Sequence, residues 1–199
     1  MIRNIVFDVG KVLVYFEPER HLKNLGYDEE TQRIVNNAMF AHPTWNECDR
    51  GVLSTEELIQ LYISHAPSYA KEIREAFLKV EGAIDLLPHT MDWIKDLKNK
   101  GYRLYIISNY GEYTYEQTKE KLAFLPFMDG VIFSYQYKII KPDLEIYRQL
   151  LTEYNLKAEE CVFIDDKPEN VEAARKVGYY GIQFLDYEQA KQELQLLTK

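Results

Sequence analysis

Short apolar, β-favouring runs recur along this chain, and most of them stop abruptly at a polar group. Residues 5–7 (Ile-Val-Phe) run into Asp8, residues 102–107 into Ser108-Asn109, and residues 161–164 into Asp165-Asp166. The run 130–133 leads through a loop to Lys141-Pro142, and a last short run covers 181–184. Helical patterns separate them over 88–99, 112–123, 144–154 and 168–177, with a terminal helix over 187–197. Gly101 and Gly178 mark two helix ends, and Pro168 suits a first helical turn. Strands alternating with helices of this length predict a parallel five-stranded, Rossmann-like α/β sheet covered on both faces.

One stretch breaks the alternation. From about residue 21 to 80 the pattern is helical, with no convincing strand. Asp28 can cap a helix reaching towards Phe40, and Ser54 to Glu57 reads as a capping box for a helix carrying Leu58, Ile59, Leu61 and Tyr62. Pro67-Ser68 separates that helix from another over 70–80. A βαβ crossover needs one helix, not three or four. The expected organisation is a Rossmann-like core of residues 1–15 plus 86–199, with residues 16–85 forming a helical lid that pivots near 15–18 and 83–87.

In a parallel sheet the strand ends share one edge, so Asp8, Ser108-Asn109, Lys141 and Asp165-Asp166 can converge on one crevice. Three carboxylates there repel one another unless a cation lies among them, and hard oxygen ligands suit Mg²⁺, which pairs naturally with phosphate. Ser108, backbone amides and Lys141 are donors suited to phosphate oxygens. One carboxylate could act as a nucleophile. Each piece has an ordinary reading as a turn, a helix cap or a solvated lysine; their joint placement carries the inference.

The order Asp8, Ser108-Asn109, Lys141-Pro142, Phe163-Ile164-Asp165-Asp166 and Asn170 resembles the haloacid dehalogenase-like hydrolase superfamily over essentially the whole chain. The helical stretch is similar to that family's C1-type cap. Residues 7–14 and 49–54 resemble the subgroup containing bacterial α-glucose-1-phosphatase. The resemblance implies a Mg²⁺-dependent phosphatase acting on a small phosphorylated metabolite, a sugar phosphate such as a hexose 1-phosphate, through an aspartyl-phosphate. It implies Asp8 as nucleophile and metal ligand, Gly10 as a backbone-carbonyl metal ligand, and Ser108 and the Asn109 amide as phosphate holders. Lys141 is then the charge neutraliser, Asp166 a direct metal ligand, Asp165 a ligand or support for bound water, and Asn170 the fixer of that loop. Arg20, Trp45, Asp49 and Arg50 are candidate substrate contacts from the lid side, and Tyr110 and Tyr113 from the core side.

Gly10 departs from the family pattern, in which a second aspartate two residues after the nucleophile protonates the leaving oxygen. A leaving group as acidic as a sugar hemiacetal would need less help, or a lid residue (His21, His42, Glu47 or Asp49) could substitute. Three alternatives stay open: a 2-haloacid dehalogenase using the same aspartate, a phospho-receiver module, and a degenerate family member.

A net charge of −8 argues against a nucleic-acid partner. No apolar run approaches the roughly 20 residues of a membrane helix. Two cysteines without metal spacing, and no apolar signal region after Met1, predict a cytoplasmic protein with reduced thiols, monomeric or weakly dimeric.

Overall fold

A computed structural model of the chain describes residues 1–198. Its strands are β1 (Asn4–Phe7), β2 (Val14–Phe16), β3 (Ile84–Leu86), β4 (Arg103–Ser108), β5 (Gly130–Phe133), β6 (Cys161–Asp165) and β7 (Tyr180–Gln183). Five of them form the expected sheet, in the order β5-β4-β1-β6-β7 and all parallel. Every residue of β1 is buried, because a central parallel strand is covered on both faces and reads as unbroken apolar sequence. Successive side chains point to opposite faces. Ile5 and Phe7 therefore join Trp93, Ile94 and Ile106 in one apolar cluster, while Val6 joins Tyr105, Tyr147 and Phe163 in another. Phe7 meets the Trp93 ring edge-on at 5.0 Å. Removing a buried phenylalanine of this kind costs about 3–5 kcal/mol.

Between β2 and β3 lie five helices: α1 (Pro18–Asn24), α2 (Glu29–Ala38), α3 (Trp45–Arg50), α4 (Thr55–His65) and α5 (Ala70–Leu78). They share an apolar cluster of their own that includes Leu22, Val35, Ile59, Tyr62, Ile73 and Phe77. Asp28 caps α2 through Thr31 N–H, and Ser54 and Glu57 form both halves of the capping box on α4. Two features differ from the sequence reading. The helical segment opens at Pro18 rather than at about residue 21, with the proline in the first turn where its missing N–H is harmless. The chain also enters and leaves the segment through β2 and β3, which pair antiparallel with Tyr15 opposite Asp85. Each of these strands is three residues long, and their partners are about seventy positions apart, so neither carries a local period.

The remaining helices are α6 (Thr90–Asn99), α7 (Glu112–Thr118), α8 (Ser134–Tyr137), α9 (Leu144–Glu153), α10 (Pro168–Val177) and α11 (Tyr187–Leu197). α6 starts two residues later than expected, where Thr90 Oγ1 donates to Leu13 C=O at 2.5 Å. α7 stops at Thr118 instead of continuing to 123 and tightens into a 3₁₀ turn, Lys119–Lys121. The Lys121 ammonium reaches the carbonyls of Glu81 and Ile84, both at 2.7 Å, and this anchors the turn beside the exit strand β3. No helix among the described residues is long and apolar enough to cross a membrane.

Candidate active site

The register places the polar strand ends side by side. Phe7 pairs with Ile106 and with Ile164, so Asp8, Ser108 and Asp165 emerge at one edge of the sheet. Asp8 Oδ1 accepts two hydrogen bonds, from its neighbour's amide, Val9 N–H, at 2.7 Å and from Ser108 Oγ at 2.8 Å, and it pairs with the Lys141 ammonium at 2.8 Å. Among the described residues no donor reaches Oδ2, and that oxygen is left for a cation or an electrophile.

Lys141 lies between two carboxylates. It donates to Asp165 Oδ2 at 2.6 Å and forms an ion pair with Asp8, and its Nζ stands 5.4 Å from the Phe163 ring centre. The reciprocal pairing of its backbone with Asn109 fixes this loop: Lys141 N–H donates to Asn109 Oδ1 at 2.7 Å, and Asn109 Nδ2 donates to Lys141 C=O at 3.2 Å. Asp165 is fully buried and saturated by protein donors. Lys167 N–H reaches Oδ1, and Asn170 Nδ2 bridges both oxygens at 3.0 Å. Asp166 is half-buried, opens onto the cavity, and has no such set of donors among the described residues.

The electrostatics follow from burial. Desolvation pushes the Asp8 carboxyl above its ordinary value; Lys141 opposes this and Asp165 adds to it. Desolvation alone would lower Lys141, but the Asp165 and Asp8 carboxylates outweigh it and hold the ammonium above the ordinary lysine value. Asp166 is raised by burial and by Asp165. One oxygen each from Asp8, Asp165 and Asp166 lie within 4.8 Å of one another, with one buried ammonium against three acids. A small, hard divalent cation fits this donor set.

These groups floor a cavity of about 280 Å³. Its opposite wall comes from β2 and the helical segment. There the Trp45 ring packs at 5.0 Å from Phe40 and 6.0 Å from Phe16, and Asp49 of α3 faces inward beside them. The structure thus brings together Asp8, Gly10, Trp45, Ser108, Asn109, Lys141, Asp166 and Asn170 on one cavity, with Asp165 directly behind. Tyr110 also lines it, whereas Tyr113 stacks on Phe77 and donates to Leu78 C=O.

Arg20 and Arg50 do not line this cavity. Arg20 pairs with Glu17 at 2.9 Å and Asp85 at 2.6 Å and so ties α1 to β3, while half-exposed Arg50 faces Glu47 at 3.8 Å. Both positions are better explained by these carboxylate partners than by a substrate.

Phe16, Phe40, Lys11 and Lys167 line the cavity but were not singled out by sequence. The two lysines carried a signal, since each adjoins a polar strand end. Lys11 also adopts a left-handed φ of 62°, a costly conformation for a side-chain-bearing residue and a common one at sites. The two phenylalanines carried no signal that separates a cavity wall from a core.

The family model described as haloacid dehalogenase-like hydrolase matches residues 2–178. A sesquiterpene phosphatase of Aspergillus oryzae is 29% identical over 91% of this chain and 89% of its own length. A D-ribitol-5-phosphate phosphatase of Bacteroides thetaiotaomicron is 25% identical over 99% of this chain and 98% of its own. In fold, the chain is similar to a HAD-family enzyme of Bacteroides thetaiotaomicron solved in complex with magnesium and inorganic phosphate. The two superpose with a TM-score of 0.71 over 94% of this chain and 98% of that one, at 20% identity.

Proposed function

This chain belongs to the haloacid dehalogenase-like hydrolase family, and we propose that within it the protein is a Mg²⁺-dependent phosphatase of small phosphorylated metabolites that works through an aspartyl-phosphate on Asp8. The observation that carries this reading is the cluster of Asp8, Asp165 and Asp166 around one buried lysine, because a carbon-directed dehalogenase has no use for three convergent acids. The phosphatases among the relatives support it.

In this reading Asp8, Asp166 and the Gly10 carbonyl would hold Mg²⁺, with Asp165 behind them, and the bound cation would supply charge neutralisation for the phosphoryl group. Asp8 is held in one orientation by two hydrogen bonds and the Lys141 ion pair and attacks phosphorus in line. Lys141 and Ser108 stay within reach of both the nucleophile and the incoming phosphate oxygens. The Asn109–Lys141 pairing keeps the two phosphate-facing loops at fixed spacing. Residues 16–85 act as a cap that excludes water, with the β2–β3 ladder as its root.

Two leaving-group classes are supported by different observations. Gly10 favours an acidic leaving oxygen, as in a hexose 1-phosphate. The aromatic wall of Phe16, Phe40 and Trp45, together with the sesquiterpene phosphatase relative, favours the phosphate of an apolar alcohol. A Mg²⁺-dependent screen of glucose 1-phosphate, glucose 6-phosphate and a prenyl monophosphate separates them. Turnover confined to the anomeric ester supports the first class, and turnover of the prenyl ester alone supports the second. EDTA is expected to abolish all of it; activity that survives chelation and releases halide from 2-haloacids sinks the phosphatase reading.

A further inference from the structure

Two residues beyond Asp8, Gly10 has no side chain to give or take a proton. A Cβ built there meets no heavy atom within 4 Å, so crowding does not forbid a larger residue. Of the four substitutes that the sequence offered, three are engaged elsewhere. His21 is buried with Nε2 at 2.9 Å from Ala76 O; His42 stacks on His65 at 3.8 Å and bonds Thr44; Glu47 faces Arg50. None of the three lines the cavity, and Asp49 does.

Asp49 is held there by its backbone. Ser134 Oγ donates to Asp49 C=O at 2.5 Å and accepts from Tyr110 N–H at 2.9 Å, which ties α3 to the core directly beside Ser108-Asn109. Two residues on, Gly51 closes α3 with φ +68°, and a Cβ there would stand 2.7 Å from that of Tyr135. Lys138 Nζ donates to the Gly51 carbonyl. The main chain is thus fastened to the core, yet among the described residues no hydrogen bond or ion pair reaches the Asp49 carboxylate; the residue as a whole is 9% exposed and its side chain opens only onto the cavity. Ionising an acid that so little water reaches is costly, and acids perturbed in this way concentrate at functional sites.

We infer that Asp49 is the general acid and base of this site, delivered from the helical segment to do what the absent side chain at Gly10 cannot. The inference rests on the phosphatase reading. In the first step the Asp8–phosphorus bond forms and the phosphorus–ester oxygen bond breaks. The Asp49 proton goes to the departing oxygen and an alcohol leaves. In the second step water attacks phosphorus and gives its proton to Asp49, and inorganic phosphate and the Asp8 carboxylate are released. Burial pushes the Asp49 carboxyl up to about 7, with Lys167 and Lys141 opposing and Asp8 adding, so the acid form persists near neutrality. Cys48, Tyr62 and Tyr110, which also sense its charge, are all raised by burial and stay neutral. With its own acid, the site does not require an anomeric leaving group, and esters of ordinary alcohols fall within its substrate class.

The test compares kcat/KM, which reports the phosphoryl-transfer step to Asp8, for an alkyl phosphate and for p-nitrophenyl phosphate, whose anion leaves without a proton. In Asp49→Asn the alkyl ester is expected to lose about 10²–10⁴-fold and the aryl ester less than about tenfold. Equal losses on both, or none on either, overturn the inference. If the variant does not fold, the wild-type enzyme decides. The ratio of alkyl to aryl kcat/KM should fall as pH rises through the Asp49 titration, and a flat ratio overturns the assignment. Wild-type enzyme that turns over neither ester with Mg²⁺ overturns the phosphatase reading itself; turnover of both with an unselective Asp49→Asn loss overturns only the role of Asp49.

Discussion

The two walls of the cavity are built on opposite plans. On the sheet side the central charged groups, Asp8, Lys141 and Asp165, are bound several times over. Asp8 Oδ1 takes two hydrogen bonds and an ion pair, both Asp165 oxygens are saturated, and Lys141 bridges the two acids. On the helical side the wall is aromatic, and its one acid, Asp49, has no polar partner for its carboxylate among the described residues. Groups that must stabilise a developing charge are most effective when already oriented, which the dense bonding of the first wall provides. Groups that meet the organic part of a substrate need shape and a proton more than a fixed field. The contrast separates a wall preorganised for charge from one that offers shape and a titratable acid.

The largest expected effect breaks the first wall at its centre. Asp8→Asn keeps the shape and the contact with Ser108 but removes the proposed nucleophile, so kcat/KM should fall by at least about 10⁴-fold for every ester, as for other lost nucleophiles. Activity within tenfold of wild type would move the nucleophile elsewhere. Lys141→Met comes next. It leaves two buried carboxylates without their cation, and breaking such a buried pair costs about 3–5 kcal/mol of stability. Urea unfolding without Mg²⁺ measures it, and a loss under about 1 kcal/mol would mean that solvent already screens the pair.

The same contrast decides what was legible in the sequence. Asp8, Ser108, Lys141 and Asp165 follow apolar runs, and parallel topology alone sends strand ends to one edge. The limits of α10 follow from Pro168 and Gly178. The second wall was much harder to read. α3, which carries Trp45 and Asp49, has six residues and too few turns to show a period. β2 and β3 depend on a pairing about seventy residues apart, and neither names its partner. Phe16 and Phe40 look like any core aromatic until the chain is folded around an empty space. Arg20 and Arg50 have the chemistry of phosphate binders, but nearby carboxylates claim them.

A third prediction turns on the sign of a stability change. Burial raises the Asp49 carboxyl in the folded state to about 7, from an ordinary value near 3.8. Between those values the folded protein binds more protons than the unfolded chain, so this group's contribution is most favourable below about pH 4 and is lost as pH rises towards 7. Asp49→Asn removes the penalty. In EDTA at pH 8 the variant should be more stable than wild type by on the order of a few kcal/mol, and at pH 4 nearly unchanged. Lys141→Met on the other wall destabilises, so the two substitutions move the unfolding midpoint in opposite directions. A less stable Asp49→Asn at pH 8 would mean that the carboxylate has a structural partner and that the two walls are not built differently after all.

The smallest expected effect concerns Gly10, where the walls meet. Its neighbourhood offers a new methyl group open space, and its φ is not left-handed. Gly10→Ala keeps the backbone carbonyl and narrows the unfolded ensemble, so stability should change by no more than about 1 kcal/mol, upward if at all. Steady-state assays with Mg²⁺ should find kcat/KM within a few-fold of wild type, because a methyl neither supplies nor removes a proton. A loss approaching 10²-fold would carry a different meaning. A ligand would then approach the main chain too closely for any Cβ, and glycine would be retained for that approach. The missing side chain would be a steric requirement of the first wall, and no longer a vacancy filled from the second.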